Sequence, residues 1–503
     1  MKLILAAAAV VLMIGSAFAK EEISEALKEG TLDVNKVTYP WMTDTEFSEA
    51  LKAAKERSTR KVASTTGIDY EGQMSDDLKE IRNKIIALKS PKEIETFLKT
   101  YLAEQKFVTL QPDAKLLMAQ LIPLQSFRGI VYRLAPLAAK TNITHSILLS
   151  FVMRQAAEMR VYFPTEQANA LFDYLTQPFD GVVQFHEGEQ FQAYLSDTVY
   201  PLAVHSTDVI RAISVDKPMV WDNKILYSDI TSAIDTQDRY TLIGAAEKAA
   251  LVSAKHMGLH FLTAFRSYSV KNVMQMSKEM GSLYGIDGFT TAILPNGTVD
   301  GVNAMERTGV FKRDKYKQTF RLYPDGGDWM KRSFYHMKEA TKYLRIAWDE
   351  VKDKPAAENF LLNPIFFTGF NRQISNHLAA LEEIIKGPTK IKSRMTGETI
   401  TVDLKGFYMN PPKDLKSLLP TNFDTPKNGK FKNIKVKLGT NNSAGTVEYY
   451  NYSFGRPTDW NKDAYKALFP GIKKGSDVQT AARIMAQSWG GVVLAGPLRA
   501  VIR

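Results

Sequence analysis

Apolar residues recur at helical spacing in one segment after another from Lys20 to about Gly387, and several of these segments open on capping chemistry. Such a chain can hide its apolar faces only by packing helix on helix. Thr43 and Glu46 have the spacing of a capping box, in which the hydroxyl accepts from an orphan backbone N–H and the carboxylate reaches back to the cap. A helix over 44–60 follows from it. At Ser90, Pro91 and Glu93 a cap residue, a proline at the first helical position and a box glutamate coincide, and Ile94, Phe97, Leu98 and Tyr101 then build one apolar face. The same reading predicts helices over 76–88, 113–121, 142–162, 166–175, 187–195, 241–267, 270–283, 328–351 and 372–385. Short proline-bearing connections, as at Gln111-Pro112 and Gln177-Pro178, favour antiparallel neighbours. No repeat of about 30 to 45 residues stands out, which argues against a helical solenoid.

Two stretches break the helical pattern. Val220-Trp221 and Lys224 to Tyr227 flank Asp222-Asn223 and predict a small hairpin. Gly281 to Gly301 carries five glycines and leads into Phe311 to Tyr323, which reads as extended chain. Past Gly387 the composition shifts: 390–395 and 398–404 predict a hairpin, 432–438 and 446–454 further strands, and 477–487 a helix. The expected fold class is therefore mainly α. A large multi-helix domain over 20–387, forming one unit or two subdomains and bearing an irregular, strand-containing insert near 281–327, precedes a smaller α+β C-terminal domain over 388–503.

The first nineteen residues, MKLILAAAAVVLMIGSAFA, read as a positive start, a twelve-residue apolar run from Leu3 to Ile14, and small residues at Ala17 and Ala19. This pattern predicts a secretory signal peptide over 1–19, cleaved after Ala19, and a periplasmic or secreted mature protein. The apolar run covers about 18 Å of helix against a hydrocarbon core of about 30 Å, so it is too short for a stable span. The chain has no cysteine, which excludes a lipid-modified cysteine at the cleavage site and any disulfide. Later apolar stretches are also too short to cross a bilayer, so no transmembrane span is expected.

A formal charge of +11 favours contact with polyanions, which outside a cytoplasm means nucleic acid, anionic lipid head groups or cell-wall polymers. The densest local signal is FKRDKYKQTFRLY, where Lys312, Arg313, Lys315, Lys317 and Arg321 alternate with Phe311, Tyr316, Phe320 and Tyr323 around Asp314. Cations can pair with phosphates or carboxylates while rings stack on sugars or bases; the plainer alternative is a solvated strand whose rings face the core. The stretch 386–440 holds twelve basic residues against four acids, and Lys432, Lys435 and Lys437 lie along its expected strand.

Catalytic and metal signals are sparser. His256 and His260 are spaced i, i+4 in KHMGLH, but Met257 stands where a zinc peptidase carries its glutamate base. On a helical wheel they share a face with Ala245, Ala249, Ser253, Thr263 and Ser267, opposite Leu251, Ala254, Phe261, Leu262 and Phe265, which reads as a small-residue face with partly exposed histidines. His336 and Glu339 at i, i+3 could complete a metal site from another helix, though a surface pair is the simpler reading. Asp325 and Asp328 in RLYPDGGDW form an acidic cluster beside Tyr323 and Trp329, with Asp328 equally suited to cap the next helix. Ser58 and Lys61 match S-x-x-K without the K-T-G element that accompanies it in penicillin-binding enzymes, and neither a nucleophile elbow nor a phosphate-binding glycine loop occurs.

These signals favour a non-enzymatic exported protein that binds an anionic envelope polymer or a protein partner, without specific nucleic-acid binding and with no cofactor. An exported hydrolase acting on glycan or peptide, or a helical scaffold, are the alternatives. Oligomeric state leaves no mark on the sequence.

Overall fold

The computed structural model describes residues 41–58, 69–139, 166–225, 239–276, 314–352, 362, 371–392, 397–424 and 456–488. These are mostly helical, with three small antiparallel two-stranded sheets. The helices of ten residues or more are α1 (Asp44–Ser58), α2 (Asp76–Ile86), α3 (Pro91–Leu102), α4 (Pro112–Leu121), α5 (Ile130–Ala139), α6 (Glu166–Thr176), α7 (Tyr200–Ala212), α8 (Ala245–Ser267), α9 (Gly326–Val351), α10 (Asn371–Lys386) and α11 (Asp477–Ser488). The signal segment 1–19 and the expected helix over 142–162 lie outside the described residues. Among those described, no helix is long and apolar enough to cross a membrane.

The capping chemistry forms as its spacing requires. Glu46 accepts the Thr43 backbone N–H at 2.6 Å while Thr43 Oγ1 accepts that of Glu46 at 3.2 Å, which starts α1. Ser90 Oγ accepts the Glu93 N–H and the Glu93 carboxylate takes the Lys89 N–H, so α3 starts at Pro91. Its buried face is Ile94, Phe97, Leu98 and Tyr101. Each such side chain contributes roughly 1.5–3 kcal/mol on burial.

The main core gathers α2, α3 and α4 with α7, the start of α8 and the end of α9. A second core joins Tyr268, Met330, Phe334 and Met337 to Leu381, Ile384, Val402, Trp460, Phe469 and Ile484, so residues beyond 388 pack directly on α9 and α10. At the heart of the molecule α8 and α9 run against each other over most of their length.

Three expectations of local structure are corrected. Met219–Asp222 (β1) pairs not with 224–227 but with Tyr240–Ile243 (β2), and Asn223–Ile225 is a 3-10 turn. The buried carboxylate of Asp222 explains the longer connection, because Arg82 and Arg239 both reach it at 3.0 Å and tie the pair to α2. The segment 314–323 is not an extended strand: it turns through a 3-10 helix at Asp314–Tyr316, and Phe320 takes a positive φ of 62°. Third, α9 begins at Gly326, so Asp325 stands at its N-cap position and Asp328 in its first turn.

In the C-terminal part, Thr389–Lys392 (β3) and Thr399–Val402 (β4) form the expected hairpin around Gly397, whose φ is 73°. The strands expected over 432–438 and 446–454 lie outside the described residues; within them, Pro420–Asp424 (β5) pairs with Arg456–Trp460 (β6).

Candidate functional site

The sequence pointed to two places, the histidine faces and the basic turn before α9. At the first, α8 and α9 bring His256 and His336 together, with Nδ1 facing Nδ1 at 3.1 Å. His336 Nε2 meets the Tyr200 hydroxyl of α7 at 3.0 Å, Trp41 stands edge-on to the His336 ring, and Tyr343 stacks on His256. One turn along, Ser333 Oγ lies 2.8 Å from His260 Nδ1 and donates to the His260 carbonyl at 2.9 Å.

Both histidine readings require correction. His256, His260, His336 and Glu339 are buried, not partly exposed or on the surface, whereas Phe261 and Phe265 on the opposite face of α8 are half-exposed. Small residues explain the inversion: Ser253 donates to the Ala340 carbonyl at 2.7 Å, and only so close an approach lets the two helices satisfy each other's polar groups. Larger rings would hold the helices apart.

A contact between two ring nitrogens requires one donor and one acceptor. Burial favours the neutral rings: it pushes His256 down to about 3, and His336 and His260 are likewise lowered. Glu339 is not aimed at the pair, since it accepts the Met42 N–H at 3.1 Å and faces Lys342 at 3.6 Å. Among the described residues, no three of His, Asp and Glu converge where an ion could sit. Ser333 and His260 do not make a nucleophile and base either. With the serine proton given to the His260 carbonyl, Nδ1 acts as donor toward Ser333, and Ser333 is fully buried.

Asp325 and Asp328 are each committed to a cation. Arg266 reaches Asp325 at 3.1 Å and the Trp329 indole donates to the same carboxylate at 3.0 Å, while Asp328 pairs with Lys331 at 3.0 Å. The rings expected beside them are occupied too. Trp329 is buried with the guanidinium groups of Arg266 and Arg332 over its ring, and the Tyr323 hydroxyl donates to Gln192.

The basic turn is the more open of the two places. Lys315, Lys317 and Arg321 are exposed, Tyr316 is buried in the core, and Lys312 and Arg313 lie outside the described residues. Of the aromatic residues of the expected stacking surface, Tyr316 belongs to the interior, Phe320 and Tyr323 are partly buried, and Phe311 lies outside the described residues. Backbone hydrogen bonds lace this turn to two distant segments: Ser269 with Phe320 and Arg321, and Leu322 with Lys413. Thr319 Oγ1 donates to the Lys271 carbonyl at 2.6 Å, and Lys416 spends its ammonium on the carbonyls of Tyr316 and Thr319. In consequence Lys271 and Lys413, both exposed, join Lys315, Lys317 and Arg321. Sequence reasoning missed both lysines because they lie far from the turn along the chain. The acids present are Asp314, exposed, and Asp414, which sits 3.9 Å from Arg321 and 3.3 Å from Lys416. Lys432, Lys435 and Lys437 lie outside the described residues.

No protein-family model, curated protein or solved structure matches this chain.

Proposed function

We propose that the chain is exported through its 1–19 segment, released after Ala19, and binds an anionic polymer of the cell envelope through the basic turn at 314–323, without catalysing a reaction. The observation that carries this reading is the lacing of three segments, which sets Lys271, Lys315, Lys317, Arg321 and Lys413 on one exposed region with Asp314 and Asp414 as the acids among them. Backbone hydrogen bonds hold the three segments that carry these cations together before a polyanion arrives, and each contact releases condensed counterions. A flexible polyacid is favoured over a base-reading interaction because the aromatic side chain Tyr316 is buried and Tyr323 is bonded internally.

The test is the affinity of the mature protein for a labelled anionic polysaccharide at several salt concentrations, compared with a Lys315→Ala, Lys317→Ala, Arg321→Ala variant. The slope of log affinity against log salt should shallow by roughly 2 to 3, about one unit for each lost contact. A Lys432→Ala, Lys435→Ala, Lys437→Ala variant extends the same test to the C-terminal basic stretch. An unchanged slope in both variants would reduce the surplus charge to a solvated face and overturn polymer binding.

A further inference from the structure

We propose that Lys416 is the positioning residue of the basic turn: its ammonium, caged by main-chain carbonyls and one carboxylate, holds the turn in the shape that presents Lys315, Lys317 and Arg321, and makes no contact with the polymer itself. The inference rests on the polymer-binding reading of that turn and assigns the turn's geometry to one side chain.

The turn is not self-supporting. Phe320 holds a φ of 62°, a left-handed conformation that a residue other than glycine keeps only where its surroundings impose it. Donors from outside the turn take one carbonyl after another: Asn272 Nδ2 donates to Lys315 at 2.7 Å, the Leu415 N–H to Phe320 at 3.0 Å and the Ser269 N–H to Arg321 at 2.8 Å. Between these, a single side chain stands in for several backbone donors. Lys416 Nζ lies 3.2 Å from the Tyr316 carbonyl, 3.4 Å from that of Lys317 and 2.5 Å from that of Thr319.

Asp414 aims the ammonium. Its Oδ1 accepts the Lys416 N–H at 2.9 Å, which caps the short 3-10 turn Leu415–Leu418, while its Oδ2 faces Nζ at 3.3 Å. An ammonium has three protons, and here three carbonyls and a carboxylate stand around it, so none is left for an arriving anion. The Lys416 side chain is 15% exposed against 48% for Arg321, which separates the cation that holds from the cations that are offered. A turn released from this cage would keep its outward cations but would have to be re-formed before each binding event. Losing Lys416 should therefore lower affinity in proportion to the surviving fraction of the presenting shape, and leave the number of contacts, hence the salt slope, as it was.

The chain has no cysteine, so Lys416→Cys introduces a single thiol into the full mature protein. Alkylation with 2-bromoethylamine in urea, followed by refolding, converts that thiol into a thioether analogue of lysine and restores the ammonium; iodoacetamide gives a neutral side chain instead. Parent protein taken through the same steps is the reference. Hydrogen exchange is read by mass spectrometry on peptides over 314–323 and, as a check of the fold, over 91–102. Affinity for the labelled anionic polysaccharide is measured on each form at several salt concentrations. The thiol and neutral forms should exchange the turn about tenfold faster with α3 unaltered, and bind about tenfold more weakly at a slope within about half a unit of the parent's. The ammonium form should recover both. Lys315→Ala should do the reverse, with a slope shallower by about one and unchanged exchange. Unaltered turn exchange in Lys416→Cys, a slope that shallows by about one with it, or equal behaviour of the ammonium and neutral forms overturns the proposal. A parent that does not bind the polysaccharide sinks the polymer reading by itself, and the exchange then decides alone whether Lys416 holds the turn. If Lys416→Cys disturbs α3 as well, Lys416→Gln, which keeps two N–H donors toward the cage, takes its place in the same measurements.

Discussion

Replacing Glu247 by glutamine probes how the core of this protein treats a charge. Glu247 sits in the first turn of α8, almost fully buried, where its carboxylate accepts the Gly244 N–H at 2.8 Å and the Leu362 N–H at 3.3 Å. Burial pushes its carboxyl up to about 7 from 4.5, and the backbone donors pull it only part of the way back. A folded pKa above the unfolded one means that the native state holds the proton more tightly. The resulting stabilisation is complete below pH 4.5 and disappears as pH rises through 7. A gap of about 2.5 units at about 1.4 kcal/mol each amounts to roughly 3 kcal/mol between pH 4.5 and 8. Glu247→Gln keeps an acceptor for the capping bond and removes the titration, and the cost of burying its NH2 group does not vary with pH. Urea unfolding of parent and variant at several pH values should therefore show their stability difference swinging by about 3 kcal/mol in favour of the variant from pH 4.5 to 8. Groups that do not interact with Glu247 cancel in that difference. Parallel profiles would refute the argument, because they would mean that the carboxyl titrates alike in the folded and unfolded chains.

The histidine seam predicts the opposite pH response. Because burial lowers His256 to about 3 from 6.5, its contribution is complete above pH 6.5 and declines by about 1.4 kcal/mol per unit as pH falls toward 3. His256→Phe keeps a ring against Tyr343, so its urea-derived stability should fall less steeply between pH 6 and 4 by that amount, and an unaltered slope would count against a neutral buried ring. Asp222→Asn leaves the guanidinium groups of Arg82 and Arg239 facing a neutral amide in a fully buried site and should cost about 3–5 kcal/mol in urea unfolding. A loss below about 1 kcal/mol would show that Glu71, which both arginines also reach, suffices for them.

What was legible in this sequence was local. A cap and an apolar face lie within one turn of each other, so Ser90, Pro91 and Glu93 determine where α3 begins, and Ile94 to Tyr101 determine which side it buries. The seam of α8 and α9 was misread because hydrophobicity is a poor guide where two helices satisfy each other. Taken singly, Ser253, His256 and His260 look like a face for water; opposite Ser333, His336 and Ala340 they form a buried hydrogen-bonded interface, and Phe261 and Phe265 are left outside. Such a seam depends on pairs 73 to 87 residues apart, a separation at which sequence spacing carries no geometric information. The basic turn was half legible for the same reason. Lys315, Lys317 and Arg321 are neighbours along the chain, but Lys271 and Lys413 reach them only because the backbones at 269 and 413 bond to the turn, and no periodicity marks those bonds.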